Sequence, residues 1–173
     1  MYKGIIAKLI LVSSLLVLVP LALAHGDKEP TTAEKMAGLQ TMCTETETAR
    51  TERQAADSLY NRLGGYDRIL ELTTKVVANH RVNEEIKRTM EGVDDKMLAK
   101  HVADFVAAGT GGTAEYTGRD LPSSHAHLKL TDADFLSAGG DIVKAMKSME
   151  YGQNEIDEFL CILVSLKDQV VFE

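Results

Sequence analysis

The chain has 173 residues, 45% of them hydrophobic and 26% charged, with a formal net charge of −7 and no tryptophan. That length suits one domain with a real core, and the acidic balance argues against nucleic acid or an anionic membrane surface as a partner. Only three prolines occur, a composition that favours helices.

The first 24 residues carry Lys3 and Lys8, then an apolar run, then Ala22-Leu23-Ala24. A basic start, an apolar middle and an A-x-A end mark a secretory signal peptide, cut after Ala24. The run after Lys8 is 16 residues, short of the roughly 20 that a spanning helix needs. No stable membrane insertion is therefore expected after cleavage, an uncleaved anchor being the rival reading. The mature chain would have 149 residues and, having lost two lysines, a net charge of −9. A periplasmic or secreted protein is expected. His25 would be its first residue.

Two cysteines remain, Cys43 and Cys161. In an oxidising compartment they could form one intramolecular disulfide; two unpaired thiols, or Cys43 paired between chains, are the alternatives. No C-x-x-C-H occurs, so any haem is not attached through that motif.

Residues 25–57 read as an N-terminal extension, partly helical. Ala33, Met36, Leu39 and Met42 fall at helical spacing, while "TETETARTER" (Thr44–Arg53) is almost wholly polar. The segment reads as a surface addition rather than core. Gly64-Gly65 breaks the chain, and the domain proper is expected over 58–173. Asp67–Asn79 is the next helix, with Ile69, Leu72, Val76 and Val77 on its apolar face. His80 follows in a polar stretch and is expected to be solvated. Asp94 or Asp95 caps a helix running to about Ala108, with Met97, Leu98, His101, Val102, Phe105 and Val106 as its stripe. A glycine-rich loop, "GTGGTAEYTGRD", follows. Thr131-x-x-Asp134 forms a capping-box pattern ahead of a helix with Phe135, Leu136, Ile142, Val143 and Met146. The last helix spans Asn154 to about Val170 and buries Ile156, Phe159, Leu160, Leu163 and Val164. No alternating pattern suggests a strand. The fold class is all-α, with about five helices.

Two histidines stand out. His101 sits three residues after Leu98 and four before Phe105, so helical geometry aims it into the apolar stripe. A buried imidazole needs a hydrogen bond or a metal; a satisfied core histidine is the plain reading. His125 lies between Leu121 and Leu128. Two inward imidazoles on separate elements suit a flat apolar cofactor with an axial metal, as in haem proteins. His125 and His127 could instead form an H-x-H chelate.

From Leu59 to about Val170 the chain resembles the group I truncated haemoglobins. "LYNRLGGYDRI", "AAGTGGTAEYTGRDL" and H-x-x-L-x-L-T-x-x-x-F carry the resemblance. It implies a two-over-two helical sandwich, here with an additional N-terminal helix, holding haem b. The family's proximal iron ligand falls on His125. Val77, Met90, Leu98, Val102, Phe105, Tyr116, Leu121, Leu128 and Phe135 are implied around the haem. The family's distal tyrosine position is Val77, its corner phenylalanine is Met90, and its frequent distal glutamine is Val102. Distal hydrogen-bond donors are thus missing, which puts oxygen storage in doubt. His101, one residue before Val102, matches a distal ligand of some relatives, so a bis-histidine six-coordinate iron is expected.

The leading functional reading is electron transfer with a redox partner, or binding of a diatomic gas such as nitric oxide or oxygen. Nitric oxide detoxification is its enzymatic version. The alternatives are a degenerate globin fold without haem, acting as sensor or scaffold, and a periplasmic metal binder using His125, His127 and methionines.

Overall fold

The computed structural model describes residues 28–172. The expected signal peptide and His25 lie outside the described residues. Helix α1 (Thr32–Glu45) opens on a capping box in which the Thr31 hydroxyl accepts from the Glu34 amide and the Glu34 carboxylate accepts from the Thr31 amide. It is followed by α2 (Glu47–Ala56), α3 (Leu59–Arg62) and the long α4 (Gly65–Val82). A 3-10 turn at Lys87–Met90 leads to α5 (Asp95–Gly109). Then come α6 (Leu121–His125), a 3-10 turn at Ala126–Leu128, α7 (Asp132–Ser148), α8 (Gln153–Leu166) and a 3-10 turn at Lys167–Gln169. Among the described residues there is no strand, only an isolated bridge between Leu130 and Val171.

The chain stops and starts where local chemistry requires it. Gly64 has φ +88°, a left-handed conformation that an L side chain resists, so α3 cannot run on into α4. Asp94 caps α5 by accepting from the Met97 amide. The expected capping box at Thr131 and Asp134 is present, with both reciprocal bonds.

Helices α4 and α5 pack together, α4 also packs on α7, and α7 packs on α8. This is the all-α two-over-two arrangement. The main core joins Leu59 and Leu63 of the α3 segment, Ile69 and Leu72 of α4, Ala103 and Ala107 of α5, Met146 of α7 and Phe159 of α8. Leu59, Leu63, Ile69, Leu72 and Met146 are essentially fully buried, each worth about 1.5–3 kcal/mol of transfer free energy. Thr73, also buried, donates to the Ala99 carbonyl at 2.9 Å and so ties α4 to α5 without an unpaired hydroxyl.

Several sequence expectations need correction. The N-terminal segment is not merely a surface addition: α1 packs against α7 and α8 and buries Met36, and a Cys43–Cys161 disulfide joins it to α8. Helix α2, the polar tract, buries no residue, but Arg53 pairs with the buried Glu158 of α8 at 3.5 Å. His80 is not solvated. Its Nδ1 lies 2.9 Å from Asp141 Oδ2 on α7, and its side chain is 18% exposed. Met97 is 57% exposed, outside the apolar stripe assigned to it. Leu160, Leu163 and Val164 are half-buried rather than core, because α1 covers α7 and α8 only in part. The last helix ends at Leu166, and a 3-10 turn replaces its expected final turn.

Candidate functional site

The distal wall is built by α4, the 3-10 turn and α5. Val77, Met90 and Ala99 are buried together, with Val93 and Leu98 packed against them. Arg81, one turn after Val77, pins the corner that carries Met90. Its guanidinium donates to the Met90 and Val93 carbonyls and pairs with Asp95. That corner is also tied to α7 by a two-pronged ion pair, Arg88 Nη1 and Nη2 each 2.8 Å from an oxygen of Asp134. The Arg88 guanidinium, ahead of the Thr131 amide and hydroxyl, holds the Asp134 carboxyl down at about 2. Tyr60 and the glycine-rich loop brace the far end of α5. A Cβ on Gly112 would meet Tyr60 Cδ2 at 2.5 Å and the Ala107 carbonyl at 2.9 Å, so only glycine fits there.

On α5, Leu98, Val102 and Phe105 are half-buried, on the same face as His101. Phe105 packs edge-on against Tyr116, ring centroids 5.1 Å apart, and the Tyr116 hydroxyl donates to the Arg119 carbonyl at 2.6 Å. The glycine-rich loop is thereby docked on α5. Just behind His101, Asp104 accepts from Lys100 at 2.7 Å and from the Tyr66 hydroxyl at 2.6 Å. These two bonds, Lys100 first, hold the Asp104 carboxyl below its ordinary range. The His101 ring is half-buried, and its Nδ1 is buried with no hydrogen-bond partner. A buried polar atom left unpaired costs about 1–3 kcal/mol.

The proximal wall is α6 and the turn after it. Asp120 caps α6 by accepting from the Ser123 amide at 2.7 Å, and the short helix ends on His125. The His125 Nδ1 lies 2.8 Å from the Leu121 carbonyl oxygen. A carbonyl only accepts, so Nδ1 carries a proton, and in the neutral ring Nε2 is the nitrogen with the lone pair. Neither α6 nor the following turn buries a single residue. Leu121, His125 and Leu128 are half-buried, and His127 is exposed. Phe135, on the first turn of α7, is half-buried as well.

A flat apolar cofactor held by an imidazole needs a free ring nitrogen and apolar surface not yet consumed by packing. The residues present fit such a group. His125 offers a fixed tautomer with a free lone pair, His101 has an orphaned nitrogen, and the surrounding aliphatic and aromatic side chains are left half-covered. The structure joins Val77, Met90 and Leu98 in one cluster, Phe105 to Tyr116, and Leu121 to His125. A broad groove of about 850 Å³ opens behind Val77, between Leu70 of α4 and Met97 of α5. Neither imidazole lines it, and its α5 rim carries Asp94, Asp95, Lys96 and Lys100, so it offers a flat apolar ring no axial ligand and one charged edge. No group of three or more His, Cys, Asp or Glu side chains placed to hold a metal ion exists among the described residues.

Sequence reasoning missed Arg81 and the Arg88–Asp134 pair, which set the distal corner. Asp134 was visible as a helix cap, but its partner lies 46 residues away and left no local signal.

Comparison with known proteins agrees with this architecture. The bacterial-like globin family model matches residues 58–172. The group 1 truncated hemoglobin GlbN of Mycolicibacterium paratuberculosis is 21% identical over 122 residues, 70% of this chain and 90% of that protein. The Fe(III) truncated hemoglobin of Tetrahymena pyriformis superposes with a TM-score of 0.63 at 17% identity, covering 68% of this chain and all of that one. The 2/2 hemoglobin of Synechococcus sp. PCC 7002, solved in the cyanomet state with covalently attached heme, gives a TM-score of 0.60 at 27% identity over 65% of this chain and 94% of that one. Residues 28–57, with α1 and α2, lie outside the matched span, and over the rest the chain belongs to the bacterial-like globin family.

Proposed function

We propose that this protein is an exported haem-binding globin in which His125 holds the iron on the proximal side and His101 on the distal side. The observation that carries the reading is the His125 Nδ1–Leu121 carbonyl bond at 2.8 Å. It directs Nδ1 to its own helix, which leaves Nε2 as the ligand nitrogen of the neutral ring, and it raises the basicity of the ring as a ligand. The orphaned Nδ1 of His101 supports an inward ring on the facing helix. Leu98, Val102, Phe105, Leu121, Leu128 and Phe135 would cover the macrocycle, with Val77, Met90 and Tyr116 behind them. The absence of C-x-x-C-H suits non-covalent haem b.

When bound, haem supplies an iron centre that takes diatomic ligands and changes oxidation state. The chain's own side chains set the terms of that chemistry. Val77, Leu98 and Val102 offer no hydrogen-bond donor, so a partly negative bound ligand gains nothing from them. His101 competes with any external ligand for the sixth position. A ligand pair kept in both oxidation states favours electron transfer with a redox partner. Among gases, nitric oxide suits an apolar distal side better than oxygen. The disulfide supports an oxidising location, the periplasm or the cell exterior, in line with the expected signal peptide.

The test is the absorption spectrum of the purified protein. A Soret band with six-coordinate low-spin features is expected, and His101→Ala should convert it to five-coordinate and speed carbon monoxide binding to the ferrous form. An unchanged spectrum in His101→Ala removes His101 from the ligand set.

A further inference from the structure

The two walls of the site are joined in sequence by the glycine-rich loop, which leaves α5 at Thr110 and reaches α6 at Asp120. The placing of this loop therefore bears on the spacing of His101 and His125. Its end is fixed by the Asp120 cap, and its middle by Tyr116 on Phe105. Its root is fixed in part from outside the globin span. The Thr110 carbonyl accepts from the Tyr60 amide at 3.1 Å and from Gln54 Nε2 at 3.2 Å. Gln54 belongs to α2, ahead of residues 58–172 that match the globin family model.

Gln54 is a surface residue, yet both ends of its carboxamide are used. Its Oε1 accepts from the Leu59 amide at 2.7 Å. Leu59 is the first residue of α3, where a helix leaves the amide without an intrahelical partner. The Leu59 side chain is 1% exposed, in the main core. One side chain thus ties the start of the globin domain to the end of α5. A Cβ on Gly111 would meet Gln54 Nε2 at 3.3 Å, so the loop begins in close contact with this clamp. Arg53, beside Gln54, pairs with Glu158 of α8 and gives α2 a second anchor.

We propose that Gln54 is a positioning residue of the haem site, clamping the root of the loop that leads to α6 and so setting how the distal and proximal walls face each other. A carboxamide suits this role because it donates from one end and accepts at the other. Glutamate at this position keeps the acceptor for Leu59 and loses the donor for Thr110. The Thr110 carbonyl is then left with the Tyr60 amide alone, the loop root is held by one bond fewer, and the two imidazoles are held less firmly at one spacing. The extension thereby contributes a working part to the site. This inference rests on the haem reading.

The test is the rate of hemin release from the intact protein to apomyoglobin, with amide hydrogen exchange at Leu59 followed in the hemin-free protein. Gln54→Met keeps the length of the side chain and removes both bonds. It should speed hemin release by about threefold or more and speed exchange at Leu59. Gln54→Glu should speed hemin release as well, while the Leu59 amide stays as protected as in the native protein. A role confined to holding α3 would not produce that split. The inference is overturned if neither variant changes the release rate, or if the rate rises in Gln54→Met alone. A native protein that shows no Soret band with hemin would instead overturn the haem reading, and this inference with it.

Discussion

The distal and proximal walls of the candidate site are built to different standards. On the distal side Val77 is 4% exposed, Met90 3% and Ala99 2%, and Arg81 and Arg88 hold the corner from two directions. On the proximal side α6 and its following turn bury nothing, and the one side-chain bond of His125 stays inside its own helix. The cluster that backs the first wall is closed by the protein alone. The second wall leaves Leu121, His125 and Leu128 only half-covered, which is what a wall completed by a flat cofactor looks like before the cofactor is counted.

The largest effect that separates the two walls should come from Met90→Ala. Truncating a fully buried methionine costs about 2–5 kcal/mol, so the urea midpoint should fall sharply whether or not hemin is present. A small shift would mean that the distal cluster is less tightly packed than Met90's burial indicates.

Arg88→Ala tests the same wall more gently. Arg88 is half-exposed, so screening limits the pair to about 0.2–1 kcal/mol at pH 7. The pH dependence carries the sign. The folded Asp134 carboxyl is held at about 2, below its ordinary 3.8. Its contribution is present above the unfolded value and is lost as pH falls from about 4 toward 2. Native protein and variant should therefore differ most at neutral pH and converge near pH 2 in thermal melts.

The smallest effect, and the sharpest contrast, is expected at Leu121. In hemin-free protein Leu121→Ala should cost only a few tenths of a kcal/mol, because the side chain is half-buried and packed on little. With hemin bound the cost should rise by about 1 kcal/mol, as newly covered apolar area is lost. An equal cost in both states would remove the difference between the walls.

Much of this was legible from local patterns. Gly64 punctuates the chain because its φ is positive, Asp94 caps α5, and Thr131 with Asp134 box the start of α7; each signal spans a few residues. The inward face of α5 was legible too, since Leu98, His101, Val102 and Phe105 repeat at helical spacing. What escaped was contact between distant segments. His80 looked solvated because its partner, Asp141, lies 61 residues on. The polar tract of α2 looked unattached because Glu158, buried in α8, is 105 residues from Arg53. Met97 was misplaced because an apolar residue at the edge of a stripe can face the solvent at no great cost. The N-terminal segment looked superficial because its attachment is a disulfide, and two cysteines in a sequence leave pairing open.

The central claim is that His125 is the residue that holds haem. It is tested most directly by the absorption spectrum of His125→Gly with and without added imidazole. The account predicts that the variant loses the native Soret band and that free imidazole, entering the space left by the side chain, restores it. A variant that keeps the native spectrum without imidazole, or a native protein that takes up no hemin, would contradict it.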